Sequence, residues 1–216
     1  LKVALEKSLE VLMTILTLVR HGTTKWMEEG RLHGVTDSPL SEQGKREAAL
    51  TAEFLSASHF DAFYTSPLGR AVETAGIISG QIGIAPQPLD GLRERDFGVM
   101  EGRPHFGNVK LPALLKPVYL AFIGGVIHLT GEPRSNFKKR VFETALNIER
   151  QHPAQKVLAV VHTAVQSHLI ALLVNNGSRG WLKYNNCPPC SITEIEIFSD
   201  GSGRVLQFAV NDHLLS

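Results

Sequence analysis

The order of apolar and polar positions divides this chain into alternating strand-like and helix-like stretches. Ile15 to Val19 is an unbroken, β-branched apolar run, the pattern of a strand buried on both faces. Ser41 is a good N-cap, and the helix predicted over Glu42 to Ser56 carries Ala48, Ala49, Ala52, Phe54 and Leu55 on or near one face. Phe60 to Thr65 predicts a second strand. Ser66-Pro67 predicts an N-cap followed by Pro at the first helical position. That helix has Arg70 in its first turn, with Ala71, Thr74, Ala75 and Ile78 behind it. Pro86 to Leu89 predicts a short third strand. Leu111 to Ile123 reads as a helix interrupted by Pro112 and Pro117 and closed by Gly124-Gly125. Phe137, Val141, Ala145 and Ile148 recur at helical spacing within Ser135 to Gln151. Val157 to Val161 predicts another buried strand, followed by a helix over Thr163 to Val174. Ser191 to Phe198 alternates, and with Arg204 to Val210 it predicts a hairpin across Asp200-Gly201.

Alternating strands and helices predict an α/β fold: a three-layer sandwich with a mainly parallel central sheet, an antiparallel edge, and helices on both faces. One domain is expected over residues 13–216 of the 216, because no linker interrupts them. Ahead of it, Leu1, Leu5, Leu9 and Leu12 recur at helical spacing. Lys2, Glu6, Lys7 and Glu10 lie among them, so residues 1–12 are expected to form a short helical extension rather than a signal peptide. The segment 105–130 is apolar with few charges. It is expected either to be a lid insertion over a substrate or to pack as ordinary core.

Composition narrows the function less than the pattern does. Hydrophobic residues at 43% and charged residues at 20% favour a packed core over global disorder. A net charge of +1 without a basic tract gives no reason to expect nucleic acid. No apolar stretch approaches the ~20 residues of a membrane span. Cys187 and Cys190 have the spacing of a redox pair or half a zinc site. They lie, however, in a loop before a strand with Pro188 and Pro189 between them. Two loop cysteines in a reducing, cytoplasmic compartment are expected instead.

The chemistry gathers at strand ends. The first buried strand stops at Arg20-His21-Gly22-Thr23-Thr24, and the later one stops at His162. In open α/β sheets the carboxyl ends of the strands form one edge, where ligands bind. If these two strands are neighbours, His21 and His162 face each other there. Arg70, just after the second strand, joins the same layer near a helix N-terminus suited to anions. Two Arg, two His and helix-start amides make an electropositive pocket suited to a tetrahedral phosphate. Between Gly91 and Gly107 lies a charged loop containing Arg93, Glu94, Arg95, Asp96 and Glu101. The residues alone do not say which of its carboxylates works.

With these residues the chain resembles the histidine phosphatase superfamily, also called phosphoglycerate mutase-like. Arg20-His21-Gly22, with Thr24 and Trp26, matches the family's signature, and Gly34-x-x-Asp37-x-Pro39-Leu40-Ser41-x-x-Gly44 its next block. Ser66-Pro67-Leu68-x-Arg70-Ala71-x-x-Thr74-Ala75 and Leu92-x-Glu94-x-Asp96-Phe97-Gly98-x-x-Glu101-Gly102 match the second arginine block and the general-acid loop. The apolar strand into His162 matches the second histidine.

The resemblance implies a phosphomonoester phosphatase working through a phosphohistidine on His21. Arg20, Arg70 and His162 would clamp the phosphoryl oxygens, with Thr24 and Thr163 adding to the phosphate-binding set. Glu94 would protonate the leaving oxygen and then activate water. No cofactor and no metal are expected. The expected partner is a small phosphorylated metabolite, not nucleic acid or membrane, and a homodimer is compatible with the resemblance. Three positions depart from the family: Thr23 stands for Glu, Met27 for Asn and Thr163 for Gly. Two alternatives therefore stay open, a phosphoglycerate mutase-type phosphoryl transfer and a catalytically weakened phosphate-binding module.

Overall fold

A computed structural model describes residues 13–105, 109–174 and 180–215. The expected helix over residues 1–12 lies outside the described residues. In chain order the elements are β1 (Met13–Arg20), α1 (Lys25–Glu28), α2 (Glu42–Leu55), β2 (Ala62–Thr65), α3 (Gly69–Ile82) and β3 (Gln87–Pro88). They continue with α4 (Lys116–Thr130), α5 (Arg134–Gln151), β4 (Lys156–Val161), α6 (Thr163–Leu173), β5 (Ile192–Phe198) and β6 (Gly203–Val210).

The strands form one sheet in the order β3-β2-β4-β1-β5-β6. β1, β2, β3 and β4 run parallel, while β5 and β6 pair antiparallel at one side. This is the expected three-layer α/β architecture. Leu16, Leu18, Val157, Ala159 and Val161 point to one face, where Phe137, Val141, Ala145 and Ile148 of α5 and Val165 and Leu169 of α6 cover them. Val19, Leu158 and Val160 point to the other, against Ala52 and Leu55 of α2 and Ala71, Ala75 and Ile78 of α3. Burial on both faces explains why these strands read as continuous apolar runs.

β1 and β4 are neighbours in parallel register, with Arg20 opposite Val161. Their carboxyl ends therefore deliver His21 and His162 side by side. Ser41 caps α2 as expected, accepting from the Gly44 amide.

Two expected boundaries are corrected. α3 does not start at Pro67; Leu68 occupies its N-cap position. The Ser66 hydroxyl instead lies 2.7 Å from Nε2 of His162, and the Ser66 amide donates to the Val160 carbonyl. Gly124-Gly125 does not end a helix. α4 starts at Lys116, with Pro117 tolerated in its first turn, and runs through both glycines to Thr130. Ile123 and Ile127 are its buried contacts, while Val118, Leu120, Phe122 and Leu129 are exposed. No described helix is long and apolar enough to cross a membrane.

Candidate active site

The site begins where β1 ends. His21 is 4% exposed, and its Nδ1 lies 2.8 Å from the Gly22 carbonyl oxygen. A carbonyl can only accept, so Nδ1 carries the ring proton and Nε2 keeps its lone pair. Arg70 approaches from the other side, its Nε donating to that Nε2 at 3.3 Å. Burial, then the charges of Arg70 and Arg20, hold the His21 pKa well below the usual histidine range. The imidazole is therefore neutral near pH 7, as a nucleophile must be.

Arg70 is completely buried, and its fork is fully oriented. Nη2 donates to the Gly34 carbonyl at 2.7 Å and Nη1 to Asp37 at 3.1 Å. The family block Gly34-x-x-Asp37 is thus the harness of this arginine. A Cβ on Gly34 would run into the Glu101 carboxylate, and one on Gly69 into that of Asp37, so a larger residue at either position would displace a carboxylate of this network.

Arg20 is tied differently. Nη1 donates to the Cys187 carbonyl at 2.6 Å and Nη2 approaches the Met27 sulfur at 3.6 Å. The backbone of Arg20 in turn accepts from the Cys190 amide. The Cys-Pro-Pro-Cys loop, read from sequence as chemically bland, is a brace for an arginine of the cavity wall. Its thiols are buried and free, and burial pushes them up to about 11 for Cys187 and about 12 for Cys190. Met27, a weak acceptor, sits where the family carries an amide.

His162 is fully buried beside His21, with ring centroids 5.1 Å apart. Burial, then Arg70 and His21, lower its pKa, and its Nδ1 has no partner among the described residues. Thr163 opens α6 and lines the cavity beside Ala164.

The charged loop divides its carboxylates by role. Asp96 accepts from the Gly98 amide, closing a turn. Glu101 accepts from the amides of Val35, Thr36 and Phe97. Burial raises its pKa, but these hydrogen bonds outweigh it and the net shift is downward. Glu94 is 7% exposed and lines the cavity. It accepts from the amides of Arg95 at 2.8 Å and Ala164 at 3.2 Å, yet burial dominates and raises its pKa. Of the three, Glu94 alone combines access to the cavity with a raised pKa.

Thr24 stands apart from the cavity walls. Its hydroxyl accepts from the Met27 amide as the N-cap of α1 and lies 2.9 Å from Nε2 of His33. A hydroxyl committed to a cap and a neighbouring ring has little left for phosphate. Thr23 is likewise engaged, donating through its amide and hydroxyl to Glu47. His33 itself was not anticipated. It lines the cavity with its ring 6.4 Å from His21, and burial, aided by Arg70 and Arg20, lowers its pKa to about 4. Nothing in its local sequence marks it, since it follows no strand.

Arg20, His21, Met27, His33, Arg70, Glu94 and Thr163 are among the walls of a cavity of 310 Å³, while His162, packed beside His21, is not one of them. Among the described residues no cluster of three or more His, Cys, Asp or Glu could hold a metal ion. The arrangement can do one thing well: seat an oxyanion between guanidiniums, in front of a neutral imidazole and beside a carboxyl group biased toward its acid form.

The chain is similar to known proteins in sequence and fold. The uncharacterised phosphatase PhoE of Bacillus subtilis is 30% identical over 203 residues, covering 94% of this chain and 97% of its own. Phosphoserine phosphatase 1 of Hydrogenobacter thermophilus is 32% identical over 176 residues, or 78% of this chain and 81% of its own. Among solved structures, a phosphoserine phosphatase of Entamoeba histolytica in complex with phosphoserine superposes with a TM-score of 0.78 at 27% identity, covering 93% of this chain and 99% of that one. The family model described as histidine phosphatase superfamily (branch 1) matches residues 16–211, a span holding every site residue described above. The chain belongs to the histidine phosphatase superfamily, branch 1.

Proposed function

We propose that this protein is a phosphomonoester hydrolase acting through a phosphohistidine on Nε2 of His21. One observation carries the reading: the Nδ1 contact to the Gly22 carbonyl leaves Nε2 unprotonated and facing Arg70 in the cavity. In the first step the Nε2 lone pair attacks phosphorus and the bond to the leaving oxygen breaks. Glu94 supplies the proton that makes the leaving group a neutral alcohol. In the second step the Glu94 carboxylate takes a proton from water as that water attacks phosphorus. The P–N bond breaks, phosphate leaves, and His21 and Glu94 return to their starting states. Arg20 and Arg70 offset the charge on the phosphoryl oxygens, and His162 adds a ring nitrogen beside them.

The substrate is a small phosphorylated metabolite, and phosphoserine, the ligand of the Entamoeba relative, is one candidate by likeness. We read residues 13–216 as one catalytic unit with 105–130 as its cover. His105 and Ile127, which face the cavities, support that reading. The two buried thiols support a reducing, cytoplasmic setting. Met27 and Thr163 are the basis for a weakened module, and the ordered set of Arg20, His21, Arg70 and Glu94 is the stronger evidence, for turnover.

The test is phosphate release from a panel of phosphomonoesters by the wild-type protein and by His21→Ala. Hydrolysis by the wild type, lost in the variant, is expected. Transfer to a second sugar phosphate in place of water would support the mutase alternative, and no turnover of any ester would favour the binding module.

A further inference from the structure

Beside the phosphate cavity lies a second one of 280 Å³. The two share Leu32, Phe97, His105, Ala164 and Asn185 as walls, so the second adjoins the first. Its far walls carry two cations, Arg95 and Arg134, with Ile127, His168 and Trp181. None of these five is used by the mechanism above.

The two guanidiniums are held by neutral acceptors, and the carboxylates of Glu132 and Glu94 act on Arg95 only from beyond ion-pair distance. Arg95 donates through Nε to the Glu132 carbonyl oxygen at 3.1 Å. The Glu132 carboxylate is engaged elsewhere, on Arg140 at 2.7 Å. Arg134 lies over the Trp181 ring, 4.4 Å from its centroid, and donates through Nε to Nε2 of His168 at 3.3 Å. That acceptor is a neutral ring: His168 keeps its proton on Nδ1, 2.9 Å from the Ala164 carbonyl, and stacks on Trp181. Nη2 of Arg134 has no hydrogen-bond partner among the described residues. Among the described residues, neither Arg95 nor Arg134 has a carboxylate within ion-pair distance. Two unpaired cations in one partly buried cavity repel each other, and an anion between them would relieve that repulsion.

We propose that this cavity is a leaving-group subsite for a second acidic group on the substrate, a carboxylate or a phosphate, gripped by Arg95 and Arg134. The proposal rests on the phosphatase reading and deepens it. The preferred esters are those whose alcohol part is itself anionic. Trp181 and Ile127 give the carbon skeleton between the two acidic ends an apolar wall. His168 is a positioning residue that fixes Arg134 through a neutral nitrogen.

Matched substrates test this without knowledge of the natural one. The probes are ω-carboxyalkyl phosphates, alkane bisphosphates and plain alkyl phosphates of equal chain length. The readout is the ratio of kcat/KM for each anionic ester over its plain counterpart. A charge-assisted hydrogen bond corresponds to about tenfold or more in binding. The wild-type ratio should therefore exceed about ten at the best chain length, and Arg134→Gln should bring it down by about that factor, mainly through KM. A second variant, Arg134→Lys, should keep part of the preference. A larger ratio in the carboxylate series or in the bisphosphate series identifies the acidic group. A wild-type ratio near one at every length, or a ratio unchanged in Arg134→Gln, would overturn the proposal. Absence of turnover on every ester would instead defeat the underlying phosphatase reading.

Discussion

Arg70 donates from Nε to Nε2 of His21 across 3.3 Å. The contact joins the side chain proposed to hold phosphate to the one proposed to attack it. It also adds to what keeps the ring neutral: burial comes first, and a protonated ring would in addition place two cations face to face. Phosphate entering the cavity would exchange a cation–imidazole contact for a cation–oxyanion one, which is the stronger interaction.

The role of Glu94 depends on the leaving group. An alkoxide leaves poorly and needs a proton; a nitrophenolate does not. Glu94→Gln should lose about 10²–10⁴-fold on an alkyl phosphate, the usual contribution of a general acid. It should lose much less in the burst of nitrophenolate that reports phosphorylation of His21. Equal loss in both would make Glu94 a positioning residue.

Buried neutral histidines make stability depend on pH. His21 and His162 lie well below the usual range, and His33 and His168 at about 4. All four are lowered in the folded state, so between about pH 6.5 and pH 4 the unfolded chain binds more protons. Their contribution is therefore full above about pH 6.5 and is lost as pH falls below it. Glu94, raised by burial, acts in the opposite direction, but it is one group against these four, and His105 and His213 are lowered as well. Tm should fall steadily from pH 6.5 to pH 4 in thermal melts; a flat or rising Tm across that window would contradict this assignment.

Much of the site was legible because its residues sit where secondary structure changes. His21 and His162 follow apolar strands, Arg70 opens a helix, and the parallel pairing of β1 with β4 brings them together. Less legible were contacts between a side chain and a distant backbone atom. Arg20 on the Cys187 carbonyl spans 167 positions, and no local pattern encodes it. His33 reaches the cavity through a loop, and the Thr24 hydroxyl caps α1 without lining the cavity. Gly124-Gly125 misled for another reason. A Cβ at either position would meet nothing, so the glycines serve no turn, and the burial of Ile123 and Ile127 carries the helix through them.

The Cys-Pro-Pro-Cys loop should matter through its backbone and not its sulfur. Thiols pushed up to about 11 and about 12 stay protonated at neutral pH and react slowly. Cys187→Ala keeps the carbonyl that holds Arg20, so activity within about threefold of wild type is expected, the scale of a modest packing change. Wild-type enzyme treated with iodoacetamide at neutral pH should also keep its activity. Rapid inactivation with alkylation at Cys187 would show a reactive thiol instead.

The covalent intermediate is the central claim, and trapping it is the most direct measurement. Enzyme mixed with an aryl phosphate and quenched in base within the first turnover should carry one phosphoryl group that is stable to base and lost in acid. Fragmentation mass spectrometry should locate it on His21, and His21→Ala should carry none. A wild-type enzyme that releases phosphate yet shows no phosphoryl group under these conditions, or carries it at His33 or His162, would contradict the assignment of His21.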